Sequence, residues 1–141
     1  MIVVDTSGLL AALFPDQRHH AECARILTEM EGPFLLSPLV HAELDYLVAK
    51  LTNVQTELRL LHELASGAYV LAPFFSSDVQ EASSLIEQYS DLGISLADAS
   101  IVVIARCHRA RDILTIDERY FRVMTGSSER PFRILPGDSY P

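Results

Sequence analysis

A chain of 141 residues, 49% of them apolar, is long enough to bury a core without staples and too apolar to stay disordered. Its net charge of −8 argues against a protein that grips nucleic acid without discrimination, because that needs a basic surface. The two cysteines, Cys23 and Cys107, lie far apart with no CxxC or Cys/His spacing, so each reads as a buried reduced thiol rather than a disulfide partner or zinc ligand.

Along the chain, Met1–Asp5 is a short apolar run rich in β-branched residues and ending in an acid, as expected of a strand buried on both faces. Thr6, Ser7 and Gly8 lead into a short helix that Pro15 stops. Residues 19–30 show helical spacing and end at Gly32-Pro33, and residues 34–37 read as a second buried strand. Ser37 followed by Pro38 predicts a capped helix start, with Val40, Leu44, Leu47, Val48 and Leu51 carrying the helix to about residue 51. A further helix is expected over 54–66, a third strand over 68–72, and another helix over Ser76–Tyr89. Ser95 caps a very apolar helix running to about His108, Asp112–Ile116 predicts a fourth strand, and Phe132–Leu135 a fifth. Strands thus alternate with helices throughout, which predicts an α/β fold with a central, mostly parallel sheet of four to five strands and helices on both faces. No linker or repeat interrupts residues 1–141, expected as a single domain. The amino terminus lacks a signal-peptide pattern, and the longest apolar stretch, Ile101–Ala105, is too short to span a bilayer. The expectation is a soluble, cytoplasmic protein with no membrane partner.

Four acids stand where apolar residues are expected. Asp5 closes the first strand and Asp117 directly follows the fourth; in an open α/β sheet both lie at the carboxyl edge, where ligands bind. Glu43 falls among Val40, Leu44 and Leu47, and Asp98 precedes Ile101, Val102 and Ala105 on successive turns, so both are expected to point inward. Singly, each has a plain structural role: Asp98 completes a Ser-x-x-Asp capping box with Ser95, Asp5 caps the first helix, Glu43 snorkels at a helix edge, and Asp117 belongs to a turn. Together, four unpaired inward carboxylates are most economically explained by one shared divalent cation, since an isolated buried carboxylate costs several kcal/mol to desolvate.

The segments around these acids, MIVVDTSGLLAAL, AELDYL, ISLADASIVVIARCH and ILTIDERYF, resemble the four blocks of PIN-domain nucleases. Among them the chain is most similar to the VapC toxins of bacterial toxin–antitoxin pairs, over essentially its whole length. The resemblance implies a PIN-like fold, an endoribonuclease dependent on Mg²⁺ or Mn²⁺, an antitoxin of the VapB kind that holds it inactive, and a homodimer. It makes Asp5, Glu43, Asp98 and Asp117 the expected catalytic residues. The fourth acidic position is the most variable in the family; Asp117 fits it in the T-x-D form.

Mg²⁺ takes oxygen ligands and keeps several waters, so one or two direct carboxylates suffice. Asp5 and Asp98 are the expected direct ligands, with Asp117 and Glu43 acting directly or through water and Glu43 taking the proton from the attacking water. Thr6, Ser7 and Thr115 can orient the carboxylates through hydrogen bonds, or serve as caps and strand ends. The charge is uneven: four basic residues stand against fourteen acids in 1–105, but seven arginines against four acids in 106–133. Arg106, Arg109 and Arg119, with Arg111 and Arg122, are therefore expected as a basic rim for RNA, or as a solvated, salt-bridged surface. The five histidines show no zinc spacing; His19 and His20 are expected to face solvent, and His41 is a weak candidate for supporting the site. No phosphate-binding glycine loop is present. A small Mg²⁺-dependent phosphatase is the nearest enzymatic alternative, but it wants a second Asp where Ser7 stands. A non-catalytic PIN-fold binding module is the other alternative, and four intact acids argue against it.

Overall fold

The first apolar run forms β1 (Ile2–Val4), and a computed structural model, which describes residues 1–138, places it at the centre of a five-stranded sheet. The strand order is β3-β2-β1-β4-β5, and every pairing is parallel. Successive side chains of a strand point to opposite faces, so the burial of all three residues of β1 means that both faces are covered. From β1 the chain passes through α1 (Thr6–Leu13) and α2 (His20–Glu29) to β2 (Phe34–Leu36), then through α3 (Pro38–Leu51) and α4 (Val54–Ala65) to β3 (Val70–Leu71). It then returns through α5 (Ser76–Gln88) and α6 (Leu96–His108) to β4 (Asp112–Leu114), on the other side of β1, and ends with β5 (Arg133–Leu135). The direction of winding reverses between β1 and β4. Parallel sheets open a crevice beyond the carboxyl ends of the strands at such a switch point.

The helices that border this crevice are fixed by polar contacts at their starts. Ser37 caps α3 by accepting from the Leu39 N–H at 3.1 Å, and its hydroxyl meets that of Ser100 on α6 at 2.7 Å, both residues fully buried. Ser95 caps α6 through the expected capping box with Asp98. The predicted elements are all present, with shifts at their ends; α1 begins at Thr6 rather than after Gly8, and β1 and β5 are each shorter than expected. Residues 68–72 pair only over Val70–Leu71, and both are exposed, because this strand is the sheet edge. The second strand stops at Leu36 so that Ser37 can cap, and the fourth stops at Leu114, leaving Thr115 beyond it. Cys23 is buried as expected but Cys107 is exposed, because it lies in the last turn of α6, past the packed residues 99–105. His20 does not simply face solvent: its Nδ1 lies 2.8 Å from the Ala11 carbonyl oxygen. Among the described residues no helix is long and apolar enough to cross a membrane.

Candidate active site

Asp5 follows the last residue of β1 and caps α1, its own N–H donating to the Leu114 carbonyl at 3.0 Å. The capping geometry turns its side chain along the carboxyl edge of the sheet. There Oδ1 accepts from the Thr6 N–H at 2.8 Å, and Oδ2 accepts from the hydroxyls of Ser7 at 2.8 Å and Thr115 at 2.7 Å. Ser7 and Thr115 also contact each other at 3.0 Å, and Ser7 accepts from the Ile116 N–H at 3.1 Å. The network ties the start of α1 to the end of β4. Asp5 is 7% exposed. Burial pushes its carboxyl up to about 6, and the charge of Asp98 adds to this, while the bonds from Thr115, Ser7 and Thr6 pull the other way. Beside it the Thr6 hydroxyl is buried without a hydrogen-bond partner among the described residues.

Asp98 stands in the first turn of α6. Its Oδ2 accepts from the Ser95 N–H and hydroxyl, each at 2.9 Å, and its own N–H donates to the Ser95 hydroxyl at 3.1 Å. It thus fills the capping box and still stands close enough to Asp5 for its charge to act there. The two readings of Asp98 are compatible, since the cap uses only one carboxylate oxygen.

Asp117 lies on the same edge, its N–H donating to the Thr115 hydroxyl at 3.1 Å. Both of its oxygens, however, accept from Arg119, at 3.0 Å each. That guanidinium holds the Asp117 carboxyl below its usual range, and its charge also interacts with Asp98. A basic partner for the acids, not anticipated from the sequence, therefore sits at the site; an arginine two residues beyond an acid at a turn was the available signal.

Glu43 departs from expectation. It is exposed and makes no ion pair or hydrogen bond among the described residues, because α3 buries only the narrow stripe Val40, Leu44 and Val48. Periodicity placed it beside that stripe, and the helix leaves it on the solvent side. His41, one turn from the capped start of the same helix, has a buried Nε2 without a partner. No three His, Cys, Asp or Glu side chains among the described residues are grouped tightly enough to hold a metal ion. The structure ties Asp5 to Thr6, Ser7 and Thr115, leaves Asp98 within electrostatic reach of Asp5, and engages Asp117 with Arg119.

The arginines expected either as a basic rim or as a salt-bridged surface are divided between ion pairs and the opposite edge of the sheet. Arg106 donates to the Thr125 carbonyl and pairs with Glu81, and Arg122 pairs with Glu118 and Asp138. Arg109 caps the far end of α6, and Arg111 directly precedes β4. A helix that packs between two parallel strands runs antiparallel to them, so these two lie at the opposite edge of the sheet. The buried Ser37–Ser100 pair was also missed; its signal is a serine inside the apolar run of α6.

One acid thus caps α1 at the switch point of the parallel sheet, and a second opens α6 within reach of its charge. The family model for the PIN domain matches residues 2–125, and the chain belongs to that family. Among characterised relatives, the chain is 37% identical over 135 residues to Ribonuclease VapC26 of Mycobacterium tuberculosis, covering 96% of this chain and 100% of that one. Its fold is similar to that of the VapC20 toxin of M. tuberculosis, described as cleaving the sarcin–ricin loop, with a TM-score of 0.78 at 16% identity over 85% of this chain and 92% of that one. It is also similar to a toxin–antitoxin complex from Klebsiella pneumoniae, with a TM-score of 0.69 at 21% identity over 95% of this chain and the whole of that one.

Proposed function

We propose that this protein is a divalent-metal-dependent endoribonuclease and the toxin of a toxin–antitoxin pair. Asp5 is the observation that carries the reading: a buried carboxylate held by three donors, at the switch point and within the field of a second acid. Desolvating such a group beside a like charge is costly, and a cation offsets that cost. The 37% identity to a protein named a ribonuclease supports the reaction, and the toxin–antitoxin neighbours support the role.

The donors are oxygens only, which suits Mg²⁺, with Mn²⁺ able to replace it. Asp5 and Asp98 would hold the ion, and Asp117 would join them on leaving Arg119. The unpartnered Thr6 hydroxyl beside Asp5 fits a site made for a further polar occupant. When bound, the ion supplies a water of lowered pKa and a counter-charge at the scissile phosphate. Ser7, Thr115 and the Thr6 N–H hold Asp5 in one orientation, so little reorganisation is needed on binding. Glu43, solvent-facing on α3 and without a hydrogen-bond or ion-pair partner among the described residues, would take the proton of the attacking water on turning toward the crevice. The same reading makes residues 1–141 a single cytoplasmic domain, with RNA as substrate, a VapB-like antitoxin as inhibitor and a second copy as dimer partner.

The test is incubation of purified protein with structured RNA in Mg²⁺, in Mn²⁺ and in EDTA. Wild type is expected to cut only with metal, and Asp5→Asn or Asp98→Asn to lose about a hundredfold or more of the rate while keeping the circular dichroism of wild type. Cleavage in EDTA, or wild-type rates in both variants, would falsify the proposal.

A further inference from the structure

Seven arginines lie within residues 106–133, and the structure divides them. Arg106 pairs with Glu81, Arg119 with Asp117, Arg122 with Glu118 and Asp138, and Arg133 with Asp112. The other three, Arg109, Arg111 and Arg130, make no ion pair and no side-chain hydrogen bond among the described residues. All three line one cavity of about 520 Å³, together with Ser127 and Ser128.

This cavity is remote from the carboxylates. Arg109 caps α6, Arg111 precedes β4 and Arg130 stands just before β5, so it opens at the amino edge of the sheet. From Asp98 to Arg109 the rise of α6 amounts to about 17 Å. One wall is a hairpin closed by the Thr125–Pro131 bridge and by the Gly126 N–H donating to the Arg130 carbonyl at 2.8 Å. At its tip Ser128 and Glu129 adopt left-handed backbone conformations, φ 58° and 56°, uncommon for residues with a side chain. Arg106 pins this hairpin to α6 by donating to the Thr125 carbonyl at 3.0 Å.

Three guanidinium groups without an ion-pair partner among the described residues thus line one cleft, and the acid at the start of β4, Asp112, is already engaged by both arms of Arg133. Guanidinium forks match phosphate oxygens, and the serine hydroxyls add donors. Phe132 is 6% exposed and packed against Gly126, so the cleft offers no aromatic face on which a base could stack. Such a lining reads the phosphate backbone and not the sequence. We infer that this cleft binds backbone phosphates of the RNA substrate and anchors it at a distance from the cut. The inference rests on the ribonuclease reading above; RNA is the polyanion on which the same molecule acts.

The experiment measures binding of a long structured RNA to the full chain in EDTA, over a range of salt concentrations, alongside wild-type cleavage in Mn²⁺. With Arg109, Arg111 and Arg130 all changed to Gln, affinity at low salt should fall about tenfold, and the slope of log K against log salt should flatten by about 2. Changing the three to Lys should retain the slope. Should the triple variant fail to fold, Arg130→Gln alone, in the exposed hairpin, should flatten the slope by about 0.7. Unchanged affinity and slope would overturn the inference, also where the variant has lost binding to an acidic protein partner instead. If wild type cuts no RNA yet the arginines govern RNA binding, the ribonuclease reading fails and the cleft stands; if wild type cuts and the variants bind normally, the cleft alone fails.

Discussion

Asp5 carries two opposed demands. Burial raises its carboxyl to about 6, whereas in the unfolded chain it loses its proton near 3.8. Between those values the native state binds more protons than the unfolded state, so its contribution to stability is full below the lower value and is lost as pH rises through the upper one. A gap of that size corresponds to about 3 kcal/mol. Metal-free wild type should therefore lose stability between about pH 4 and pH 6.5 relative to Asp5→Asn, which has no proton to lose there. Urea unfolding in EDTA at a series of pH values reads the difference, and parallel curves for the two proteins would show that Asp5 is not the strained group. The neighbouring Gly8 explains how the network is kept tight. A Cβ at Gly8 would lie 2.5 Å from the Leu114 carbonyl oxygen, so only glycine lets α1 approach the end of β4 closely enough for Ser7 to meet Thr115.

At the level of elements, α6 links stability to the site, because its first turn both caps the helix and carries Asp98. Ser95→Ala removes the hydroxyl that bonds the Asp98 N–H and carboxylate, and should cost about 1 kcal/mol in urea unfolding. It also releases one anchor of the carboxylate, so activity should fall by more than the stability change explains; an unaltered rate per folded molecule would make the capping box purely structural. The sequence shows such features where one residue type has one meaning. The acid closing the apolar run at Asp5 marks a strand end, Asp117 marks one only to within three residues because β4 stops at Leu114, and alternation of apolar runs with capped helices marks a parallel sheet. It is silent where packing decides. Glu43 lies within the apolar periodicity of α3, yet how wide a stripe a helix buries depends on which neighbours cover it. Arg119 reads as surface charge because its partner is set by the turn after Ile116, and Arg109 and Arg111 read as neighbours of the site because distance along the chain hides the length of α6.

For the whole molecule, positive charge at the two ends of the sheet does different work. At the amino edge three arginines make no ion pair among the described residues, whereas at the carboxyl edge Arg119 engages Asp117 and also feels Asp98. Arg119 thus stands, as a solvent-exposed cation, beside acids that would hold a metal ion. The pair is exposed, with the Arg119 side chain at 74%, so solvent screens it and breaking it should change stability little. Any larger effect must come from competition with the metal. Mn²⁺ at a hundredfold excess over its dissociation constant should stabilise the fold by about 3 kcal/mol through mass action. Arg119→Ala should melt close to wild type in EDTA, yet reach its metal-induced shift at a lower Mn²⁺ concentration, since two acids lose a competing positive charge. Asp5→Asn should show little shift at any concentration. If Asp117 is a ligand as well as the partner of Arg119, combining Asp117→Asn with Arg119→Ala should cancel the gain. Melting curves across a Mn²⁺ titration measure all four proteins without RNA, and an Arg119→Ala curve that coincides with wild type would mean that the arginine does not guard the site.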